Sequence, residues 1–180
     1  MFNPKYTITD KLLANIKKIN NLIIDLNNRR FPKVILLEFE KIAKEVSAYA
    51  STSIEGNPLP LTEVKKILKS NPVNIRNSER EVINYNKALE NLNRQIQSKQ
   101  IELSMGLILK INKLVTAKLL PDFESGKLRQ KPVVVNDPKT GKVVFLPPDI
   151  EKVKDLIGDL ILFIKQNNQK INYSLKICQI

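Results

Sequence analysis

Apolar residues recur at intervals of three and four along most of this 180-residue chain, which is the spacing of one face of an α-helix. The first stripe predicts a helix over Tyr6 to Leu26, with Thr7 and Asp10 as its capping start. A second helix follows a polar break that ends in proline, and it runs into the stretch Ser51 to Gly56. The predicted inner positions are Leu12, Ile16, Ile19, Ile23 and Leu26 in the first helix and Ile35, Leu36, Phe39, Ile42, Ala43, Val46 and Tyr49 in the second. We expect these two helices to form a hairpin with facing apolar stripes.

The same periodicity predicts further helices. One covers Thr62 to Leu68 and ends at Asn71-Pro72, the next begins at a Ser78–Glu81 capping box, and another is capped by Ser104. A helix restarts at Pro147-Pro148-Asp149, and a polar connector over Lys165 to Lys170 separates it from a last helix over Ile171 to Ile180. Inner positions in the two longest of these helices are Val82, Tyr85, Leu89, Leu92 and Ile96 in one and Ile150, Val153, Leu156, Ile157, Leu160, Ile161 and Ile164 in the other.

One segment breaks the helical pattern. The β-prone runs 133–135 and 143–145 are separated by a turn sequence that contains Asp137-Pro138 and ends with Gly141, as in a β-hairpin. The predicted fold class is therefore mainly α, a helical bundle with one hairpin over residues 133–146. We divide it into an N-terminal helical region, 1–70, and a second region, 71–180.

Composition excludes several kinds of chemistry. The chain has no histidine, which removes imidazole metal sites, Ser-His and Cys-His nucleophile pairs and histidine general bases. Its one cysteine, Cys178, allows no internal disulfide. The first residues lack the apolar core of a secretion signal, and the longest apolar run, Leu156 to Ile164, is too short to span a bilayer. We therefore expect a cytoplasmic protein without a membrane partner.

The net charge of +12 raises the question of a nucleic-acid partner. The lysines are scattered in pairs such as Lys17-Lys18 and Lys65-Lys66, and no aromatic ladder runs among them. We interpret them as solvated helix faces, with a basic nucleic-acid-binding protein as an alternative.

The stretch Ser51 to Gly56 reads S-T-S-I-E-G. Ser51 and Glu55 lie four residues apart and share a helix face, and Gly56 is suited to the left-handed conformation that ends a helix. A carboxylate in the last turn lies at the negative end of the helix dipole, so a cation from elsewhere would explain it. The simpler alternative is a solvated helix end.

From Ser51 to Lys176 the sequence resembles the front part of a Fic-family protein, the family whose enzymes transfer AMP from ATP to a protein hydroxyl. The matching pieces are 50–57, Glu81-Val82 with Asn84-Tyr85 and Ala88-Leu89, 126–129 leading into 133–135, and 145–148. The resemblance implies that Ser51, Glu55 and Gly56 form an inhibitory motif, whose Glu pairs with an active-site arginine and blocks productive placement of the ATP γ-phosphate. It also implies that the hairpin is the flap, which holds a target segment as an added strand through Val135 and Asn136 on one arm and Val144 and Phe145 on the other. A hairpin that only covers the core is the alternative.

The family's catalytic loop, H-P-F-x-D-G-N-G-R, does not occur in these 180 residues. By the resemblance its His is the general base, its acidic residue holds Mg²⁺, its Gly-Asn-Gly backbone cradles the phosphates and its Arg pairs with the inhibitory Glu. We expect a truncated Fic-type chain that lacks the C-terminal core helices, binds no ATP or Mg²⁺ productively and transfers no AMP unaided. Its expected partners are a target protein or a complementing Fic chain.

An alternative is an antitoxin-like module in which Glu55 inhibits a separate Fic enzyme. In either case we expect apolar surface to be left uncovered on the inner faces of the Val82 to Ile96 and Ile150 to Ile164 helices, and hence marginal stability, association or dependence on a partner chain.

Overall fold

The computed structural model describes residues 2–5, 7–70, 75–98, 101–137 and 139–175, with side chains described to residue 167. The described residues form six helices and one antiparallel pair of strands. The elements are α1 (Asp10–Asn27), α2 (Lys33–Ile54), α3 (Leu61–Lys69), α4 (Asn77–Gln97), α5 (Met105–Val115), β1 (Val135–Asn136), β2 (Val143–Phe145) and α6 (Ile150–Leu175). The mainly helical class with one hairpin is confirmed.

The core lies where α2, α3 and α4 pack against one another. Its buried side chains are Ala48, Leu59, Val64, Ile67 and Val82. Helix α4 also packs against α5, and α5 packs against α6. The C-terminal half of α2 is therefore held on two sides, and the segment that follows it leaves from a fixed position.

The predicted hairpin of the first two helices is wrong. Helix α1 contains no buried residue, and it does not pack along α2. In α2 the buried residues are Glu45, Ala48 and Thr52, all in its second half, while the predicted inner residues Ile35, Phe39 and Ile42 are exposed. An apolar stripe predicts that one face of a helix packs against another surface, but it does not identify that surface.

Two helix starts differ from the prediction by a few residues. Thr9, not Thr7, caps α1, because its Oγ1 accepts the N–H of Leu12 at 3.2 Å. Helix α4 starts at Asn77, before the predicted Ser78–Glu81 box, and Glu79 accepts the N–H of Arg76 at 2.9 Å. The predicted cap of α5 is confirmed, since the Oγ of Ser104 accepts the N–H of Leu107 at 3.2 Å.

Helix α6 is one continuous helix from Ile150 to Leu175, so the predicted connector over Lys165 to Lys170 is wrong. Polar residues are compatible with a helix whose face meets water, and the side chain of Asn167 donates to the carbonyl of Phe163 within the helix at 2.9 Å. The predictions for Tyr6, Asn71-Pro72 and Cys178 lie outside the described residues. Within the described part of the chain, no helix has both the length and the apolar character needed to cross a bilayer.

Candidate functional site

The end of α2 has the geometry that the sequence predicts. The N–H of Gly56 donates to Ser53 at 3.0 Å, and the N–H groups of Glu55 and Asn57 both donate to the carbonyl of Thr52 at 3.1 Å. Gly56 has a φ of +92°, and a Cβ there would meet nothing within 4 Å. The glycine is required by the backbone conformation alone, and it ends the helix directly after Glu55.

A tyrosine of α4 holds the last turns of α2. The Oγ of Ser51 donates to the hydroxyl of Tyr85 at 2.9 Å, and the Oγ of Ser47 lies 3.1 Å from the same hydroxyl. Ser47 and Ser51 are one turn apart, so a single phenol spans the turn that precedes Glu55. The hydroxyl of Tyr85 therefore positions Ser51 of the predicted motif. The spacing of residues within α2 did not predict this contact, because Tyr85 belongs to another helix.

Asn57 fixes the chain where it leaves the helix. Its side-chain nitrogen donates to the carbonyl of Ser78 at 2.8 Å and to Oε2 of Glu81 at 2.6 Å, while its side-chain oxygen accepts the N–H of Leu59 at 3.1 Å. The residue is buried, and these bonds satisfy an amide that would otherwise be costly to remove from water. The segment after Gly56 is thereby bound to the first turn of α4.

Glu55 itself is exposed, and its carboxylate has no hydrogen bond or ion pair with the described residues. The other carboxylate in the second half of α2, that of Glu45, is buried and lies 3.9 Å from the Nζ of Lys65. Glu45 and Lys65 were not predicted as a pair, because they belong to different helices. Glu55 thus presents an unpaired anion at the negative end of a helix that is fixed from both sides.

The hairpin forms where the flap is predicted. Val135 pairs with Phe145 and Asn136 pairs with Val143, with a register irregularity between the two pairs that leaves Val144 on the second arm. All five strand residues are exposed, so the alternative of a hairpin that covers the core is wrong. In a two-stranded sheet each strand keeps one outer edge, with backbone groups that can pair with a further strand.

The turn of the hairpin is ordered by Asp137. Its carboxylate accepts the N–H groups of Lys139 at 2.7 Å and Thr140 at 3.2 Å, and these bonds lower the pKa of Asp137. Gly141 closes the turn with a φ of +70°. The described residues of the turn therefore form a local hydrogen-bonded unit.

The Gly126 to Arg129 piece joins the flap to the bundle. The N–H of Gly126 donates to the side chain of Asn112 at 2.9 Å, and Arg129 donates to the carbonyls of Lys131 and Pro148. An apolar cavity of about 540 Å³ lies beside this loop, between α5 and α6. Arg129 therefore anchors both ends of the hairpin segment.

Among the described residues, β1 and β2 pack extensively only against each other, so the flap does not pack along α2, the helix that carries the inhibitory motif. The described residues also contain no group of three or more His, Cys, Asp or Glu side chains that could hold a metal ion.

The chain has the fold of Fic domain proteins. It is similar to a Fic domain-containing signalling protein from Bacteroides thetaiotaomicron, with 21% identity and a TM-score of 0.68, over 87% of this chain and 58% of that one. It is also similar to a Fic family protein from Desulfovibrio desulfuricans, with 23% identity and a TM-score of 0.65, over 93% of this chain and 49% of that one. The chain thus spans about half the length of these two structures. No protein-family model and no curated protein matches the sequence.

Proposed function

We propose that these 180 residues supply the inhibitory helix and the target-binding flap of a Fic-type protein adenylyltransferase, and that they transfer no AMP by themselves. The observation that carries the proposal is the Glu55 carboxylate, which is exposed and unpaired among the described residues at the end of a helix that Tyr85 and Asn57 hold in place. A fixed, unpaired anion is suited to bind a cation that another segment or another chain brings.

The absence of transfer follows from the chemistry of the sequence. A hydroxyl that attacks ATP needs a group to accept its proton, and a positioned general base contributes about 10²- to 10⁴-fold to the rate. The sequence contains no histidine and no H-P-F-x-D-G-N-G-R loop. In this proposal the general base, the metal ligand and the phosphate cradle come from residues beyond these 180.

The proposed role of Glu55 is to bind the arginine of such a catalytic loop. A charge-assisted pair of this kind is worth about 1.5 to 3 kcal/mol, which corresponds to roughly a tenfold or greater effect on occupancy. The loop can belong to the same polypeptide or to a separate one. The second case is the antitoxin-like alternative, and an unpaired Glu55 among the described residues is compatible with both cases.

The proposed role of the flap is to hold a target segment as a third strand. Val135 and Asn136 on one arm and Val144 and Phe145 on the other are exposed, as this role requires. Backbone pairing is largely independent of side chains, so the target class is an extended segment with a Ser, Thr or Tyr hydroxyl.

A transfer assay with radioactive ATP tests both parts of the proposal. The purified chain alone should label no protein, and label transfer without any helper would contradict the proposal. Added to an active Fic enzyme that lacks its own inhibitory Glu, the wild-type chain should reduce AMP transfer about tenfold.

Three variants separate the cause of that reduction. Glu55→Gln keeps the shape but removes the charge, so it should not inhibit. Tyr85→Phe should inhibit less than wild type because Ser51 loses its anchor. Glu151→Gln, at an exposed position of α6, is the matched control and should inhibit like wild type. Equal transfer in all mixtures would exclude inhibition in trans.

A further inference from the structure

The flap and the loop that leads into it carry a concentrated positive charge. Residues 127–146 have a net charge of +4 over 20 residues, against +12 over the whole chain of 180. The basic residues are Lys127, Arg129, Lys131, Lys139 and Lys142, and the one acidic residue is Asp137. This segment is therefore more basic than the chain as a whole.

The two lysines at the tip of the flap, residues 137–142, have no acidic partner among the described residues. At the base of the flap, Lys131 lies 3.4 Å from Glu124. Lys139 and Lys142 are exposed, and neither side chain forms an ion pair with the part of the chain that the structure describes. The carboxylate of Asp137 accepts backbone N–H groups of the turn. Two ammonium groups therefore remain available to a bound segment.

The strands next to these lysines present apolar side chains to solvent. Val135 is 48% exposed, and Val143, Val144 and Phe145 are 58% to 61% exposed. β-Branched and aromatic side chains on neighbouring strands stabilise each other when they lie side by side. A strand added to the flap would therefore meet apolar side chains along the arm and positive charge at the tip.

A single-stranded nucleic acid would also be attracted by this charge, but the flap is poorly suited to bind one. Such strands bind mainly by stacking their bases on aromatic side chains, and Phe145 is the one aromatic residue among residues 127–146. Exposed backbone edges of a sheet pair instead with another peptide strand. The observations therefore favour a peptide as the ligand.

We propose that the flap selects target segments that carry acidic residues, and that Lys139 and Lys142 are its specificity-determining residues. The inference rests on the proposed role of the flap in strand addition, and it adds the chemical class of the target. The preferred target is an extended segment with β-branched or aromatic residues around its hydroxyl and Asp or Glu at the end that reaches the tip. Exposed opposite charges attract weakly, so the two lysines together should favour an acidic segment about three- to tenfold.

Fluorescence anisotropy with labelled peptides tests this preference on the full 180-residue chain. Three short peptides share a Val-Thr-Val centre, and they carry Glu, Gln or Lys pairs at both ends. Because both ends carry the pair, one pair meets the tip whichever way the added strand runs. We expect the Glu peptide to bind about three- to tenfold more tightly than the Gln peptide, and the Lys peptide to bind most weakly. This difference should shrink at an ionic strength of about 1 M, where exposed charges are screened.

The outcome separates this inference from the proposed function on which it rests. Equal affinity for the three peptides would overturn the acidic preference and leave strand addition intact. Failure of all three peptides to bind would overturn both. Tighter binding of a short oligothymidylate than of the Glu peptide would assign the charge to nucleic acid and overturn the preference.

Two double variants locate the charge that is responsible. Lys139→Gln with Lys142→Gln should abolish the preference for the Glu peptide and leave the affinity for the Gln peptide unchanged. Lys17→Gln with Lys18→Gln, at exposed positions of α1, is the matched control, because it removes the same net charge and should keep the preference. A preference that survives the tip changes, or that is lost in the control, would overturn the assignment to Lys139 and Lys142.

Discussion

At the scale of single residues, Asn57 and Gly126 show two ways in which one position fixes a functional segment. Asn57 uses three hydrogen bonds to join the exit of α2 to the start of α4. Gly126 acts through the absence of a side chain. It has a φ of +74°, and a Cβ there would lie 2.7 Å from the Cβ of Lys113 on α5. Close approach of the loop to α5 therefore depends on glycine.

Gly126→Ala should destabilise the fold by about 2 kcal/mol or more, since it adds a steric clash to the cost of about 1 to 2 kcal/mol for the left-handed conformation. Gly141→Ala is the matched control, because Gly141 has a φ of +70° but nothing within 4 Å of the added Cβ. Gly141→Ala should lower the free energy of unfolding by about 1 kcal/mol, because only the left-handed conformation in the flap turn is strained. Urea unfolding followed by circular dichroism measures both losses, and equal losses would contradict the steric argument.

At the scale of elements, the helix ends explain why the segment around Glu55 is well positioned. The start of α4, to which Asn57 is bound, is itself held by Glu79. The carboxylate of Glu79 accepts the backbone N–H of Arg76 at 2.9 Å and its guanidinium at 2.7 Å and 3.0 Å. The pKa of Glu79 is lowered, mainly by the hydrogen bond from the backbone N–H of Arg76 and next by the bond from the Arg76 guanidinium. In turn, the carboxylate of Glu79 raises the pKa of Arg76.

The lowered pKa of Glu79 predicts a loss of stability in acid. A carboxyl whose pKa is lower in the folded state stabilises the fold above its unfolded pKa, about 4.3, and this contribution is lost as the pH falls through the folded value. The urea midpoint of the wild-type chain should therefore decrease below about pH 5. Glu79→Gln should show a smaller decrease, while Glu151→Gln should behave as wild type. Identical pH profiles for all three would show that the Glu79 contacts do not contribute.

At the scale of the whole molecule, the described residues have a small core and a large exposed apolar surface. The buried apolar side chains are Ala48, Leu59, Val64, Ile67, Val82, Ala88 and Ile161, and of these the largest that are fully buried are Val64 and Val82. The large exposed apolar side chains lie chiefly on α1, α2, the flap and α6. Stability of the single chain therefore depends on few contacts, and the uncovered faces favour association.

Val82→Ala should reduce the free energy of unfolding by about 2 kcal/mol, because it removes two buried methyl groups and leaves a cavity. Val144→Ala makes the same chemical change at a position that is 61% exposed and should stay within about 0.5 kcal/mol of wild type. Chemical unfolding at one protein concentration compares the two variants. A loss for Val144→Ala as large as that for Val82→Ala would show that the core does not lie between α2, α3 and α4.

Features that depend on neighbours along the chain could be predicted from the order of the amino acids alone. The helix end at Gly56, the cap at Ser104 and the position of the hairpin were predicted correctly, because caps and turns involve residues two to four positions apart. The motif residues Ser51, Glu55 and Gly56 were placed on the last turn of α2 for the same reason, although their inhibitory role stays a prediction. The continuous helix α6 was missed, because polar residues in an exposed helix look like a connector.

Contacts between side chains that are distant along the chain became evident from the three-dimensional packing. Tyr85 lies 34 residues from Ser51, and Glu81 lies 24 residues from Asn57, so no local pattern could pair them. The structure also decided that α1 and the first half of α2 are left uncovered, where matching stripes predicted a hairpin. The periodicity of apolar residues shows only that one face of a helix is apolar. Which surface packs against that face depends on the shape and packing of the whole chain.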